Sequence, residues 1–257
     1  MNRAPAVPSA AGTFIALLAA EAHAFGRNAR ALIWTVALPL LILVLGESQL
    51  VRGQPIATPT LEISSMGLML GIFTLGLFGY ATVLATYRER GVFQRLRCAP
   101  VAAWQILGAR LLVQMLAVLI QAVLLFGVAW AVYGVAPSAA GAAYGLVATL
   151  MAGLAALAIG QAIVAFVGSA GGVAAVSRVV LIALLLLQGL FFRVAQWPAW
   201  LQDAGKWTPI RIATRLMDDG LIRVQWNATD VHYLLGLVAW IVVLAYAGIS
   251  RFRWRVV

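Results

Sequence analysis

Polar residues divide the chain into six long apolar segments, at about Ala31–Leu50, Ile63–Thr86, Leu107–Tyr133, Ala142–Val167, Val173–Phe192 and Val231–Ile249. Each is close to the roughly 20 residues that an α-helix needs to cross a bilayer. Pro39 falls inside the first segment and should bend it, which a helix in lipid tolerates when neighbours satisfy the freed carbonyl. Ahead of them, residues 13–26 place Phe14, Leu17, Leu18 and Phe25 near one helical face with Glu21 at its margin. This stretch has two readings. Arg3, a short apolar run and the small residues of Ala22-His23-Ala24 fit a signal peptide with its cleavage site. The run from Phe14 to Ala20 is short for that, and Arg27 and Arg30 lead at once into another apolar segment, which favours an interfacial helix lying on the membrane. Residues 1–12, rich in Pro and Ala, read as a disordered tail. The prediction is an all-α polytopic membrane protein with one transmembrane domain over residues 13–257.

Composition excludes a soluble class. A chain of 257 residues that is 63% hydrophobic, with a mean hydropathy of +0.97, has more apolar surface than one soluble core of that length can bury. One cysteine, Cys98, excludes an internal disulfide framework and a cysteine-based metal cluster.

The net charge of +10 becomes informative once the spans are placed. Six spans put both termini on one side. That side holds Arg3, Arg27, Arg30, Arg88, Arg90, Arg95, Arg97, Arg110, Arg178, Arg251, Arg253 and Arg255 against only Glu21 and Glu89. The opposite side balances Arg52, Arg193, Lys206, Arg211, Arg215 and Arg223 against Glu47, Glu62, Asp203, Asp218, Asp219 and Asp230. All of the excess lies with the termini, which the positive-inside bias assigns to the cytoplasm. The charge is a topology signal and not a nucleic-acid footprint.

The most basic loop is Tyr87 to Arg110, YRERGVFQRLRCAPVAAWQILGAR. The helix entering it should run past the bilayer through Arg90, and Gly91 supplies a flexible break. Val92, Phe93 and Leu96 then alternate with Gln94, Arg95 and Arg97 as a short amphipathic piece, which Pro100 stops near Cys98. Arg88, Glu89, Arg90, Gly91, Leu96, Arg97 and Pro100 resemble the loop between the second and third spans of ABC-2 type transporter permeases, with Val92 in place of a common Thr. After the proline, Ala102 and Ala103 stand where that family often has a Ser or Thr cap. In the family this loop carries a coupling helix that docks on a separate ATP-binding subunit. The resemblance therefore implies ATPase coupling for Arg88, Glu89, Arg90, Gly91, Phe93, Leu96, Arg97 and Pro100.

Between the fifth and sixth segments, Phe192 to Asp230 reads as two short helices split near Gly205, too short and too charged to span. Trp197, Trp200, Trp207 and Trp226 belong at headgroup level. Trp197, Pro198, Trp200, Leu201, Pro209 and Arg215 resemble the same family's segment before its last span, although Thr208 replaces its usual Asn. A hairpin that dips into the outer leaflet and returns is what the resemblance implies, with Trp197, Pro198, Trp200, Pro209 and Arg215 as its marks. The turn Arg27-Asn28-Ala29-Arg30 resembles the family's entry into span one.

Catalytic, cofactor and metal residues are expected to be none. Gly205-Lys206 is followed by Trp207, so no P-loop exists to bind ATP on this chain. The glycines at 168, 171 and 172 read as a tight turn between spans. His23 and His232 lack a second ligand at metal spacing. The pair Asp218-Asp219 reads as a solvated face, and Asn227-Ala228-Thr229 fits a glycosylation acceptor that would mean nothing in a bacterial protein, the source the resemblance suggests. Within the spans, Gln114, Gln121, Gln161 and Gln188 read as helix-to-helix hydrogen bonds, and Gly67 and Gly71 as a close-approach pair. No charge lies at a span centre, so the mark of an ion-coupled carrier is missing. A convergent set of acids and histidines for a membrane enzyme is missing too.

The resemblance implies the transmembrane permease of an ATP-driven exporter in a cell's inner membrane, with both termini cytoplasmic. Its partners would be an ATP-binding subunit, a second permease subunit, identical or homologous, and the lipid bilayer. ATP would bind only on the partner subunit. The sparse charge in the spans favours an amphipathic or lipid-like cargo such as a drug, a lipid or a lipid-linked glycan.

Overall fold

A computed structural model describes residues 10–27, 29–48, 57–92, 103–188 and 197–251. Its described residues form helices joined by short turns, with no strand among them. They are α1 (Ala10–Gly26), α2 (Ala29–Ser48), α3 (Ala57–Thr74), a π-helical segment (Leu75–Ala81), α4 (Thr82–Glu89), α5 (Ala103–Tyr133), α6 (Ala139–Phe166) and α7 (Ala170–Gln188). The short α8 (Ala199–Lys206) and α9 (Pro209–Asp218) follow, then a π-helical turn (Asp219–Arg223) and α10 (Ala228–Ser250).

Five of these are long and apolar enough to cross a membrane: the continuous rod from α3 through α4, then α5, α6, α7 and α10. The first predicted span corresponds to α2, 20 residues long, of which Val36–Gly46 forms the apolar stretch among the described residues. Most helices begin a few residues before the apolar segments read from sequence. Backbone hydrogen bonding continues past the hydrocarbon edge, where side chains turn polar but helix geometry is kept. Residues 10–12 join α1 instead of the tail assigned to them, while residues 1–9 lie outside the described residues.

The α3–α4 rod and α6 are the most buried elements and form the centre, around which α2, α5, α7, α9 and α10 pack. Small residues set how closely they approach. A Cβ on Gly76 would lie 2.7 Å from the backbone of Ala156, and one on Gly160 would lie 2.6 Å from the Gly76 carbonyl. The π-helical segment falls at this contact, where its wider turn accommodates the close crossing. Gly67 and Gly71 serve α2: a Cβ on Gly71 would lie 2.5 Å from Pro39 Cγ, and one on Gly67 would lie 3.0 Å from the Pro39 carbonyl. Their close approach is thus made inside one subunit.

The glutamines at two of these contacts bond between helices. Tyr80 donates to Gln161 Oε1 at 2.8 Å, and Gln188 Nε2 donates to Thr214 Oγ1 at 3.0 Å. Each satisfies a polar group that would otherwise face an apolar interior.

Candidate functional site

The two ends of the central rod carry most of the polar chemistry. At the α4 end, Arg88 is only 5% exposed and its guanidinium points inward. It donates from Nη1 to the Val164 carbonyl at 2.6 Å and from Nη2 to the carbonyls of Val167 at 2.6 Å and Gly168 at 2.8 Å. These are carbonyls at the C-terminus of α6, which have no further helical partner and sit at the negative end of its dipole. Glu89 completes the clamp from the other side. Its Oε1 accepts from the backbone N–H of Ala170 at 2.6 Å, at the positive N-terminus of α7. One helix end thereby holds the turn at residues 167–169 through both of its flanking helices. Within that turn, Ser169 Oγ accepts from the Gly172 N–H at 3.1 Å.

Arg90 is exposed, and Gly91 adopts φ of 66°, a left-handed conformation in which a Cβ would be strained. The structure therefore separates the predicted coupling residues into Arg88, buried and turned inward, Glu89, exposed but bonded to the start of α7, and an exposed Arg90 beside a glycine turn. Phe93, Leu96, Arg97 and Pro100 lie outside the described residues.

Arg110, assigned by sequence to the basic loop, instead lies inside α5 and is 3% exposed. It sits 3.9 Å from Glu21 of α1 and its guanidinium stacks over the rings of Tyr80 and Tyr87, with centroids at 5.3 and 4.9 Å. It anchors α1 against the bundle. A basic residue next to apolar runs gives no sign in sequence that two tyrosines will receive it.

The opposite end is built by α8 and α9. As the sequence suggested, the break between them falls near Gly205, at Trp207–Thr208, with Gly205 itself buried in the last turn of α8. Thr208 is extended and Pro209 starts α9 at its first position, where a missing N–H costs nothing. Pro198 is likewise the N-cap residue of α8, and Gln202 Nε2 donates to the Trp197 carbonyl at 2.7 Å. Trp200 and Trp207 are exposed, whereas Ile210, Ile212, Leu216 and Met217 of α9 are fully buried against the bundle.

Arg215 lies between two carboxylates, with Nε 3.5 Å from Asp219 and 3.3 Å from Asp230, and its guanidinium rests over Tyr233 with the centroid at 4.6 Å. Arg223 adds a second ion pair to Asp219 at 3.2 Å. The acidic pair is thus not the solvated face read from sequence. Asp219 is 7% exposed, and burial together with the neighbouring Asp230 pushes its carboxyl above the usual range. Burial pushes Asp218 up to about 7, with Ser65 opposing and the negative charges of Glu62 and Asp219 adding to the rise. Asn227 caps α10: its side chain accepts from Thr229 N–H at 2.8 Å and Asp230 N–H at 3.1 Å. Asp230 returns a bond from the Asn227 N–H at 2.9 Å, completing a capping box that the spacing Asn-x-x-Asp could have announced.

Between α3, α7, α9 and α10 this end forms a half-open cleft of about 540 Å³, lined by Glu62, Gln188, Arg211, Arg215, Asp218 and Tyr233 among others. No group of three or more metal-ligating side chains occurs among the described residues.

Long apolar helices packed round two buried ones, with most of the charged groups at the ends, define an all-α polytopic membrane protein. The chain matches the ABC-2 type transporter family over residues 12–222, most of its length, and it belongs to that family. It is the membrane component of an ABC-type transporter, in a family whose members normally work with an ATP-binding subunit. No curated protein matches the chain by sequence.

Proposed function

We propose that this chain is the permease of an ATP-driven exporter, with hydrolysis on a separate subunit and a second permease, identical or homologous, beside it in an inner membrane. The cargo is amphipathic or lipid-like, because the spans offer apolar surface and few charges. The excess of twelve arginines on the termini side supports a cytoplasmic position for that side, where an ATP-binding subunit would dock.

One observation carries the mechanism: Arg88 and Glu89 bind the end of α4 to the turn between α6 and α7. A force applied to the loop beyond Gly91 reaches α4 and, through the clamp, α6 and α7 together. Closure of the ATPase pair would in this way move several helices of one permease, which a flexible tether could not do. Arg88 and Glu89 act as transmitting residues, while Arg90 and the segment from Phe93 to Pro100 form the docking face. The hairpin carrying Trp197, Pro198, Trp200, Pro209 and Arg215 shapes the exit side.

Purified alone, the chain should hydrolyse no ATP above background, and hydrolysis should appear when it is reconstituted with its ATP-binding subunit. Sustained hydrolysis by a contaminant-free preparation of this chain alone would overturn the reading.

A further inference from the structure

The α7 helix carries an arginine where the sequence pattern placed no charge. Arg178, counted from sequence with the cytoplasmic arginines, falls inside α7 (Ala170–Gln188), a helix long and apolar enough to cross a membrane. It lies about 12 Å along the axis from Ala170 and about 15 Å from Gln188, near the middle of that helix and in its cytoplasmic half. The face of α7 that carries Val173, Ser177, Leu181, Leu184 and Gln188 is buried against the bundle. Arg178 is exposed on the other side. Ile182 and Leu186 follow it at one-turn intervals and Val179 lies beside it, all of them exposed.

An ionised side chain on an apolar face within a span is costly unless an anion meets it. This chain supplies none. Arg178 makes no ion pair among the described residues. Of the described acids toward the cytoplasmic end, Glu21 faces Arg110 and Glu89 accepts from the Ala170 N–H. Glu62, Asp203, Asp218, Asp219 and Asp230 belong to the α9 end. An identical neighbour in the same orientation would hold the same acids at the same levels, so it offers Arg178 no partner either.

The depth of the arginine restricts what can reach it. Helix side chains lean toward the N-terminus, which in α7 is the cytoplasmic end, and one turn of reach, about 5 Å, still leaves the guanidinium inside the level of Ala170. A soluble anion gains nothing from the apolar residues around it. An amphiphile does, because its chain can run toward the bilayer centre along Ile182 and Leu186 while its headgroup meets the arginine. We propose that Arg178 binds the anionic headgroup of an amphiphile from the cytoplasmic leaflet. The planar fork of the guanidinium suits phosphate or carboxylate oxygens. Two sources share this chemistry: a resident acidic lipid, and the cargo at its point of entry, the second of which rests on the exporter reading above.

The test uses the full chain in phosphatidylcholine nanodiscs doped with equal amounts of phosphatidylethanolamine and phosphatidylglycerol, with retained lipid read by native mass spectrometry. Phosphatidylglycerol should be enriched over both others. Arg178→Gln, at an exposed position where the neutral side chain suits the span better, should fold and reduce that enrichment at least about tenfold, the loss of one charge-assisted hydrogen bond. Arg178→Lys, which keeps the charge without the fork, should fall between. Arg27→Gln removes an exposed arginine outside the spans and should leave the enrichment unchanged. Equal retention of the three lipids, undiminished enrichment in Arg178→Gln, or an equal loss in Arg27→Gln would overturn the proposal. Monododecyl phosphate titrated into the complex with the ATP-binding subunit separates the sources. A change in hydrolysis that Arg178→Gln abolishes assigns the site to cargo, and lipid retention without such a change assigns it to a resident lipid. Retention is read on this chain alone, so a complex that hydrolyses no ATP would count against the exporter reading and not against the site.

Discussion

Removing Arg88 should loosen the turn between α6 and α7 while leaving the helices themselves in place. Its bond to Val164 enters a fully buried acceptor, and a charge-assisted bond of that kind contributes about 1.5–3 kcal/mol. The bonds to Val167 and Gly168 are partly buried, so water replaces them more readily and each adds about 0.5 kcal/mol. Arg88→Ala should therefore lower the local opening free energy by about 2.5–4 kcal/mol, which corresponds to amide exchange about 70- to 1,000-fold faster in the peptide around residues 164–173. Arg88→Lys keeps the charge but presents no planar fork, so it can reach fewer of the carbonyls and should fall between. Hydrogen exchange with mass spectrometry in nanodiscs reads this directly, with the distant peptide at residues 210–217 as internal control. Unchanged exchange in Arg88→Ala would show that the clamp carries no energy and that the coupling route through it is wrong.

Three more perturbations probe the same route. Glu89→Lys replaces a carboxylate at the N-terminus of α7 with a cation facing the helix dipole, so it should cost about 1 kcal/mol there and weaken ATPase docking in a salt-dependent manner. Gly91→Val forces a β-branched residue into a left-handed conformation, a strain of about 1–2 kcal/mol, so the ATPase should still copurify while its hydrolysis no longer responds to the permease. A reporter fused after Val257 should be active only in the cytoplasm and one inserted at Gly205 only outside, and the reverse pattern would invert the charge-based topology.

How far the sequence foretold these features depended on whether the signal was a count or a direction. Apolar runs near bilayer length mark helices whatever surrounds them, and the break at Gly91 followed from a residue type that adopts positive φ without strain. Arg88 shows the limit. Its charge in a basic loop pointed to a partner protein, but the side chain is used within the chain, because its helix ends beside the carbonyls at the C-terminus of α6 that lack a helical partner. Arg110 was placed in water for the same reason, since its partners Tyr80 and Tyr87 come from the fold, whereas Asp219 pairs with Arg215 and Arg223 four residues either side of it and only its burial against the bundle was hidden. The π-helical segment at Leu75–Ala81 leaves no compositional trace, because it answers the close contact of Gly76 with Ala156 rather than any local preference. The cleft was equally hidden. Glu62, Gln188 and Arg211 are far apart in sequence and meet only when α3, α7 and α9 converge.

The most direct test of the central claim joins the loop to the ATPase. The tagged chain is co-expressed with the ATP-binding subunit, once intact and once with residues 93–97 replaced by a Gly-Ser segment of equal length, and the purified complexes are compared for subunit ratio and rate of ATP hydrolysis. The intact chain should carry ATP-binding subunit in equal amount and support hydrolysis, and the replaced chain, inserted normally in the membrane, should retain little of either. A replaced chain that keeps the full complement of ATP-binding subunit and the full rate would contradict the account and leave the loop as nothing more than a cytoplasmic anchor.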